Sequence, residues 1–329
     1  MVSRLLSLAL EGRNPDTVRK ILASGSGWSG GSGGAEWPVP GVRFLESNAL
    51  PPWLTDTPDA PPWLFARGEL PDRPGVAVVG ARRATRYGLD VAREVGRIVG
   101  GAGWPVVSGL ALGVDGAAHE GALESGGTAV AVLGSGIDVW YPRRNRGLGE
   151  RIVADGGAVV SEFGPGVEPE AWRFPYRNRI IAGLSSVVIV VEAAVRSGAL
   201  ITAGQALAQG RDVWAVPGDI TRTTSRGCNM LIRDGAHPIQ DLDDLVSDLE
   251  LIMGPAPAGG LPPSASMPGT VEEFIGDRPV AEAMLELARL QATGSVVVTE
   301  GVLRWVSRRS GGTDRVRHGE QNHYAGDAG

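Results

Sequence analysis

A doubly wound α/β sheet, mainly parallel, is the fold class this 329-residue sequence predicts, and three observations predict it. Short runs such as GVAVVG (75–80), TAVAVLG (128–134) and SSVVIVVEA (185–193) are apolar at nearly every position, as strands covered on both faces must be. Amphipathic stretches of helical length separate them, the pattern of βα units joined by crossover helices. Most runs end in Gly or run into a Gly-containing loop, where ligands bind in such sheets.

Residues 1–24 read as a short helical N-terminal segment, since MVSRLLSLALEGRN lacks the long apolar core and small-residue cleavage site of a signal peptide. Residues 25–74 form a linker and lead-in. They open with the Gly/Ser-rich SGSGWSGGSGGAEWPVP and carry PPW twice, Pro51 to Trp53 and Pro61 to Trp63, so extended segments anchored by tryptophan are expected. The α/β domain is placed at 75–250, with further strands at WPVVSG, GAVVSE and RDVWAVPG. A second linker, rich in Pro, Gly and Ser, covers 251–269. Over 270–308 a helix from about Pro279 to Gln291 and a two-stranded turn outline a reduced winged-helix-like module without its first helix, and 309–329 reads as a disordered tail.

Composition narrows the function. A net charge of −6 argues against a broad basic coat for nucleic acid and leaves a localised site. Lys20 is the only lysine, so the positive charge is almost all arginine. The single cysteine, Cys228, cannot form an internal disulfide, and no His or Cys cluster has zinc spacing. With no apolar stretch of spanning length, a cytoplasmic, membrane-free protein is expected.

The loops then point to anions. The first run ends in Gly80-Ala81-Arg82 ahead of a helix from about Tyr87, and a helix N-terminus beside an arginine favours negative charge. No GxGxxG fingerprint occurs there, and the second run ends in Ser108-Gly109 without a carboxylate for a ribose, which argues against a nicotinamide cofactor. In SGLALGVDGAAH (108–119), Asp115 and His119 stand four apart; an N-cap Asp with a structural His is preferred to an acid/base or metal pair, because no third ligand is near. Trp140, Tyr141, Arg143 and Arg144 after Gly134 and Gly136 suit stacked bases, or simply packing of Trp140 under its loop. Around Arg177-Asn178-Arg179, where a helix is expected to begin, helical geometry would point the two arginines apart and extended geometry would align them, so one would meet ligand while the other braces the loop. Arg196-Ser197-Gly198 offers a second anion site of hydroxyl and backbone donors.

The ordered set GARRATRYG, SGLALGVDGAAH, AVLGSGIDVWYP, SEFGPG, FPYRNRIIAGLSSVVIVVEA, SGALITA, GRDVWAVPG and GCNMLIRDGA resembles the DprA/Smf family of DNA-processing proteins throughout 75–240. The resemblance implies a Rossmann-like domain that binds single-stranded DNA, commonly as a homodimer, protects it, and helps load RecA recombinase in natural transformation, without catalysis or cofactor. Carried over by motif, the phosphate pocket falls on Gly80, Arg82, Ser108, Gly109, Arg177, Asn178, Arg179, Ser197 and Gly198. Tyr141, Phe174 and Tyr176 are the aromatics expected to stack on bases.

The rival reading is a nucleotide-binding enzyme similar to the LOG phosphoribohydrolases, whose PGGxGTxxE signature ends in a working glutamate. Aligned on Thr202, this chain has Gln205 there, and an amide cannot serve as a general acid or base near neutral pH. A third reading is a scaffold for a protein partner with idle phosphate loops.

Overall fold

In a computed structural model, residues 39–257, 271–275, 279–292, 296–299 and 302–305 are described. The expected N-terminal helical segment and tail, and most of the second linker, lie outside the described residues. The chain divides into two compact units at Ser266/Met267.

In the first unit, strands β1 (Arg43–Glu46), β2 (Trp63–Gly68), β3 (Gly75–Val79), β4 (Val106–Ser108), β5 (Ala129–Leu133), β6 (Ala158–Ser161), β7 (Ser185–Val190), β8 (Asp212–Ala215) and β9 (His237–Pro238) form one sheet in the order β1-β2-β6-β5-β4-β3-β7-β8-β9. From β6 to β9 every pairing is parallel, while β2 pairs antiparallel to β6 and β1 antiparallel to β2. The sheet is therefore Rossmann-like and mostly parallel. The Pro- and Trp-rich lead-in is more than a cover laid against the domain: it supplies the antiparallel edge, so the unit takes in residues ahead of Gly75. Trp63 anchors that edge, fully buried, with its Nε1 donating to Glu162 O at 2.9 Å.

Helices α1 (Pro52–Thr55), α2 (Arg86–Gly101), α3 (Val114–Glu124), α4 (Arg146–Ala154), α5 (Arg173–Gly183), α6 (Gly198–Ala208), α7 (Arg226–Arg233) and α8 (Leu245–Met253) cover the two faces. Strand alternation sorts the core into two layers. Val76, Val78, Val106 and Ile189 face Val95 and Val99 of α2, Ala118 of α3 and Leu249 of α8. Ala77, Val79, Val107 and Val188 face Ile180 and Ile181 of α5, Ala203 of α6 and Leu54 of α1. Each fully buried aliphatic chain contributes about 1.5–3 kcal/mol, and the all-apolar runs arise because both faces need such residues.

Helices α2 and α3 approach closely enough that a Cβ on Gly96 would collide with Ala118 O, and one on Gly121 with Arg93 O. Bare glycine is what allows that approach. Thr85 caps α2 by accepting from Gly88 N at 3.1 Å, and its own N and Oγ1 donate to the buried carboxylate of Glu192 at 2.9 and 2.6 Å. The cap thereby ties the loop after β3 to the end of β7.

The second unit holds α9 (Val271–Ile275), α10 (Val280–Ala292) and a hairpin of β10 (Val296–Thr299) with β11 (Val302–Trp305). Phe274, Ala283, Leu287, Leu290 and Val296 make its small core. A short helix thus precedes the long one where sequence reading leaves none: five residues of α9 show too little periodicity to be read as a helix.

Candidate functional site

Strands β3 and β7 are neighbours in the sheet but far apart in the chain, and β3 to β6 run outward to one side while β7 to β9 run to the other. The crevice at the carboxyl ends of β3 and β7 is the switch point where ligands bind in open α/β sheets. A cavity of about 480 Å³ opens there, lined among others by Gly80, Arg82, Asp115, Tyr141, Phe174, Arg177, Asn178, Ser197 and Gly198. A smaller side pocket of about 60 Å³, with Gly109 in its wall, adjoins it through Arg82, Tyr141, Phe174 and Arg177.

Arg177 is the buried cation of this cavity, 4% exposed. Helix α5 starts at Arg173 rather than near Arg177, because Pro175 is tolerated in a first helical turn. At 3.6 residues per turn, positions 177 and 179 therefore point about 200° apart. Arg177 lies over Gly109, where a Cβ would sit 2.5 Å from the guanidinium. Its Nη1 donates to Gly109 O at 2.9 Å and to Val132 O, and its Nε to Asn178 Oδ1 at 3.1 Å. No hydrogen bond within the described residues occupies Nη2, which is left for the cavity. Burial pushes Arg177 down to about 10, still charged at neutral pH.

Asp115 is not an N-cap: Gly113 caps α3, at φ 82°, in a turn so close to Ala81 that no Cβ fits. The buried Asp115 carboxylate instead accepts from Gly109 N at 3.1 Å and Ala111 N at 3.4 Å, holding the β4 loop in shape. Burial raises its pKa, against the opposing charge of Arg177. Within that loop Leu110 adopts φ 54°, a left-handed conformation that no other non-glycine shares among the described residues. Asn145 Nδ2 secures it by donating to Leu110 O and Ala111 O, both at 3.0 Å. His119 is fully buried, with no hydrogen-bond partner on either ring nitrogen, and burial lowers it to about 3. No group of three or more metal-ligating side chains occurs among the described residues.

At the cavity mouth the Arg82 guanidinium lies 4.8 Å from the Phe174 ring centre, and Tyr141 lies 5.2 Å from Phe174 on its other contact. Among the described residues Arg82 has no carboxylate partner. Ser197 caps α6, accepting from Ala199 N at 3.2 Å, so the first turn of α6 forms part of the cavity wall. Asn178 Nδ2 donates to Gly198 O at 3.4 Å, joining α5 to that turn.

Three sequence-derived site residues are engaged elsewhere. Ser108 is buried with Oγ donating to Val78 O at 2.6 Å, because a small hydroxyl at a strand end satisfies a neighbouring carbonyl more readily than it reaches a ligand. Arg179 points away from the cavity and donates to both oxygens of buried Glu162, at 2.6 and 2.8 Å. Tyr176 packs on Trp172 and Phe163 with Arg179 over its ring at 4.1 Å, so it offers no face to a base. Phe174 is already flanked by Arg82 and Tyr141; of the three aromatics, Tyr141 is the exposed one, at 42%. Trp140 packs partly buried against the core and in contact range of Gly149. Asp115, Asn145 and Glu192 shape the site without having been assigned to it; Asp115 and Glu192 are marked in sequence by polar character among apolar neighbours, and Asn145, among arginines, by nothing.

Gln205 is absent from the cavity lining and donates through Nε2 to Pro175 O at 3.1 Å. It works as a brace between α6 and α5.

Residues 41–250 match the family model for DNA recombination-mediator protein A. The chain belongs to that family, DprA/Smf. It is 46% identical over 204 residues to the DNA processing protein DprA of Streptococcus pneumoniae strain R6, covering 60% of this chain and 71% of that protein. Protein Smf of Escherichia coli K12 is 44% identical over 207 residues, covering 62% of this chain and 55% of Smf, so the chain spans about half the length of that DprA/Smf relative. Among solved structures, the Streptococcus pneumoniae DprA superposes with a TM-score of 0.59 at 42% identity, over 64% of this chain and 75% of that one. A Helicobacter pylori DprA, described for its single-stranded DNA binding mode, gives 0.58 at 30% identity, over 63% and 95%. Among the described residues no helix is long and apolar enough to cross a membrane.

Proposed function

We propose that the cavity at the β3/β7 switch point binds phosphates of single-stranded DNA, and that the protein is a DNA-processing factor that protects incoming strands and helps load RecA recombinase in transformation or recombination. The observation that carries this reading is the pair of cations on the cavity. Arg177 is buried, braced by two carbonyls and an amide, and leaves Nη2 free; Arg82 stands at the mouth without a carboxylate partner. A guanidinium fixed in its orientation loses little entropy on binding phosphate, and guanidinium geometry matches phosphate oxygens. The first turn of α6 adds backbone N–H groups and the positive end of a helix dipole. Single-stranded DNA as the ligand, rather than a free nucleotide, is supported by the Helicobacter pylori relative, which is described for its single-stranded DNA binding mode.

Bases meet Tyr141 in this scheme, through stacking that is indifferent to base identity and worth about 1–3 kcal/mol per base. Function by binding alone, with no cofactor or catalysis, agrees with Gln205 serving as a brace outside the cavity. A homodimer engaging one strand would add avidity to a short footprint.

The test is the salt dependence of binding to an oligothymidylate. With phosphate contacts, log K falls with log salt by about 0.7 per contact, and Arg82→Ala and Arg177→Met each lower affinity and slope. Unchanged affinity and slope in both variants would remove the cavity from DNA binding. A hydrolase of the LOG type predicts release of free base from a nucleoside monophosphate, which chromatography of the reaction mixture would reveal.

A further inference from the structure

A second groove, of about 740 Å³, runs beside the cavity between the N-terminal part of α2 and the start of α3. Arg82 lines both, so the two adjoin at that residue. Five arginines border the groove, and two are neutralised at once: Arg86 pairs with Asp90 at 2.9 Å, and Arg93 pairs with Glu120 and, at 2.6 Å, with Glu124. Arg82, Arg83 and Arg144 remain, exposed and without a carboxylate partner among the described residues. In a chain of net charge −6 such an unbalanced cluster is local and directed.

The backbone beneath these side chains is held on both rims. Glu192 grips Thr85, and Val114 N donates to Ala81 O at 3.2 Å, which steadies the loop carrying Arg82 and Arg83. Asn145, next to Arg144, is fastened to Leu110 and Ala111, and Ala111 also lines the cavity. Cavity and groove thus lie on neighbouring braced loops, and Arg82, Arg83 and Arg144 line the groove from two of them.

We propose that a single strand seated in the cavity continues past Arg82 into this groove, where Arg83 and Arg144 take its next phosphates from opposite rims. The groove adds length and charge to the footprint, and it rests on the cavity reading above.

Two oligothymidylates, of about four and about twelve residues, separate the parts, lengths within the site sizes of single-strand-binding folds. The double variant Arg83→Ala/Arg144→Ala should bind the short one like the wild type. On the long one it should bind more weakly, with the log–log salt slope reduced by about 1.4, two contacts of about 0.7 each. An unchanged slope on the long oligonucleotide, or an equal loss on the short one, would overturn the groove. Arg151→Ala is the control: it removes the same kind of charge from the last turn of α4, near the opposite end of the sheet. A comparable loss in that variant would mean a general charge effect and would also overturn the proposal. Arg82→Ala reads the cavity separately: loss of the short oligonucleotide supports the reading on which the groove rests, and its retention overturns both. Both rim arginines are exposed, and circular dichroism checks that the fold is retained.

Discussion

Arg177 and Arg179 stand two positions apart in one helix and do opposite work. Arg179 closes a buried ion pair with Glu162, and removing one partner of such a pair leaves an uncompensated buried charge. Arg179→Met should cost about 3–5 kcal/mol in denaturant unfolding, whereas Arg177→Met should act chiefly on DNA affinity. Asp115 lies on the cavity with its pKa raised by burial, and a phosphate bound nearby would favour its protonated form further. Affinity for the strand should therefore rise as pH falls into the acid range, and Asp115→Asn should flatten that dependence in an anisotropy titration. His119 sets a stability trend of its own. Its pKa is lowered from 6.5 to about 3, so the unfolded chain binds the extra proton first. The stabilisation is complete above 6.5 and is lost as pH falls toward 3, by at most about 1.4 kcal/mol per pH unit. Chemical denaturation across that window should show a slope that His119→Leu removes.

Helices α2 and α3 approach each other closely through Gly96 and Gly121. A methyl at either position meets backbone, which cannot rotate aside. Gly121→Ala should destabilise by about 1–3 kcal/mol, the usual cost of overpacking, and should also disturb the groove that α2 and α3 border. Thermal unfolding and the salt slope on a long oligonucleotide would both register it. At this scale strands β3 to β8 were legible, because a strand buried on both faces has no polar alternation to hide it, whereas the two-residue, partly exposed β9 was not. The edge strands β1 and β2 were not. Their Pro-rich flanks signal irregular chain, and only pairing with β6 makes Trp63–Gly68 a strand. The start of α5 was misread for a related reason: Pro175 suggests a boundary after it, whereas a first helical turn accommodates proline.

Taken as a whole, the first unit concentrates positive charge at one end of a sheet in a molecule that is acidic overall. Electrostatic capture should accordingly be strong only for ligands that reach that end, and double-stranded DNA, too wide to enter a cavity of about 480 Å³, should bind more weakly than a single strand in a gel-shift comparison. A homodimer engaging one strand, as proposed, would add avidity to the track along cavity and groove. Sedimentation equilibrium at micromolar concentration should give a mass twice that of the chain, and a monomer there would remove the avidity from the scheme.

Periodicity, glycine placement and the ordered motifs were enough to determine the fold class, the family, and the loops on which a site had to lie, because each depends on residues close in sequence. Of the individual site residues, Gly80, Arg82, Arg177, Asn178, Ser197 and Gly198 line one cavity. What only the tertiary structure decided was direction. Whether Arg179 meets a ligand or Glu162, whether Tyr176 is a platform or core, and whether Asp115 caps a helix or braces a loop all depend on partners 4 to 17 residues away or on another element. Hydrogen bonds to such partners are short-ranged and angular, so a motif can name the residue while the fold alone aims its side chain.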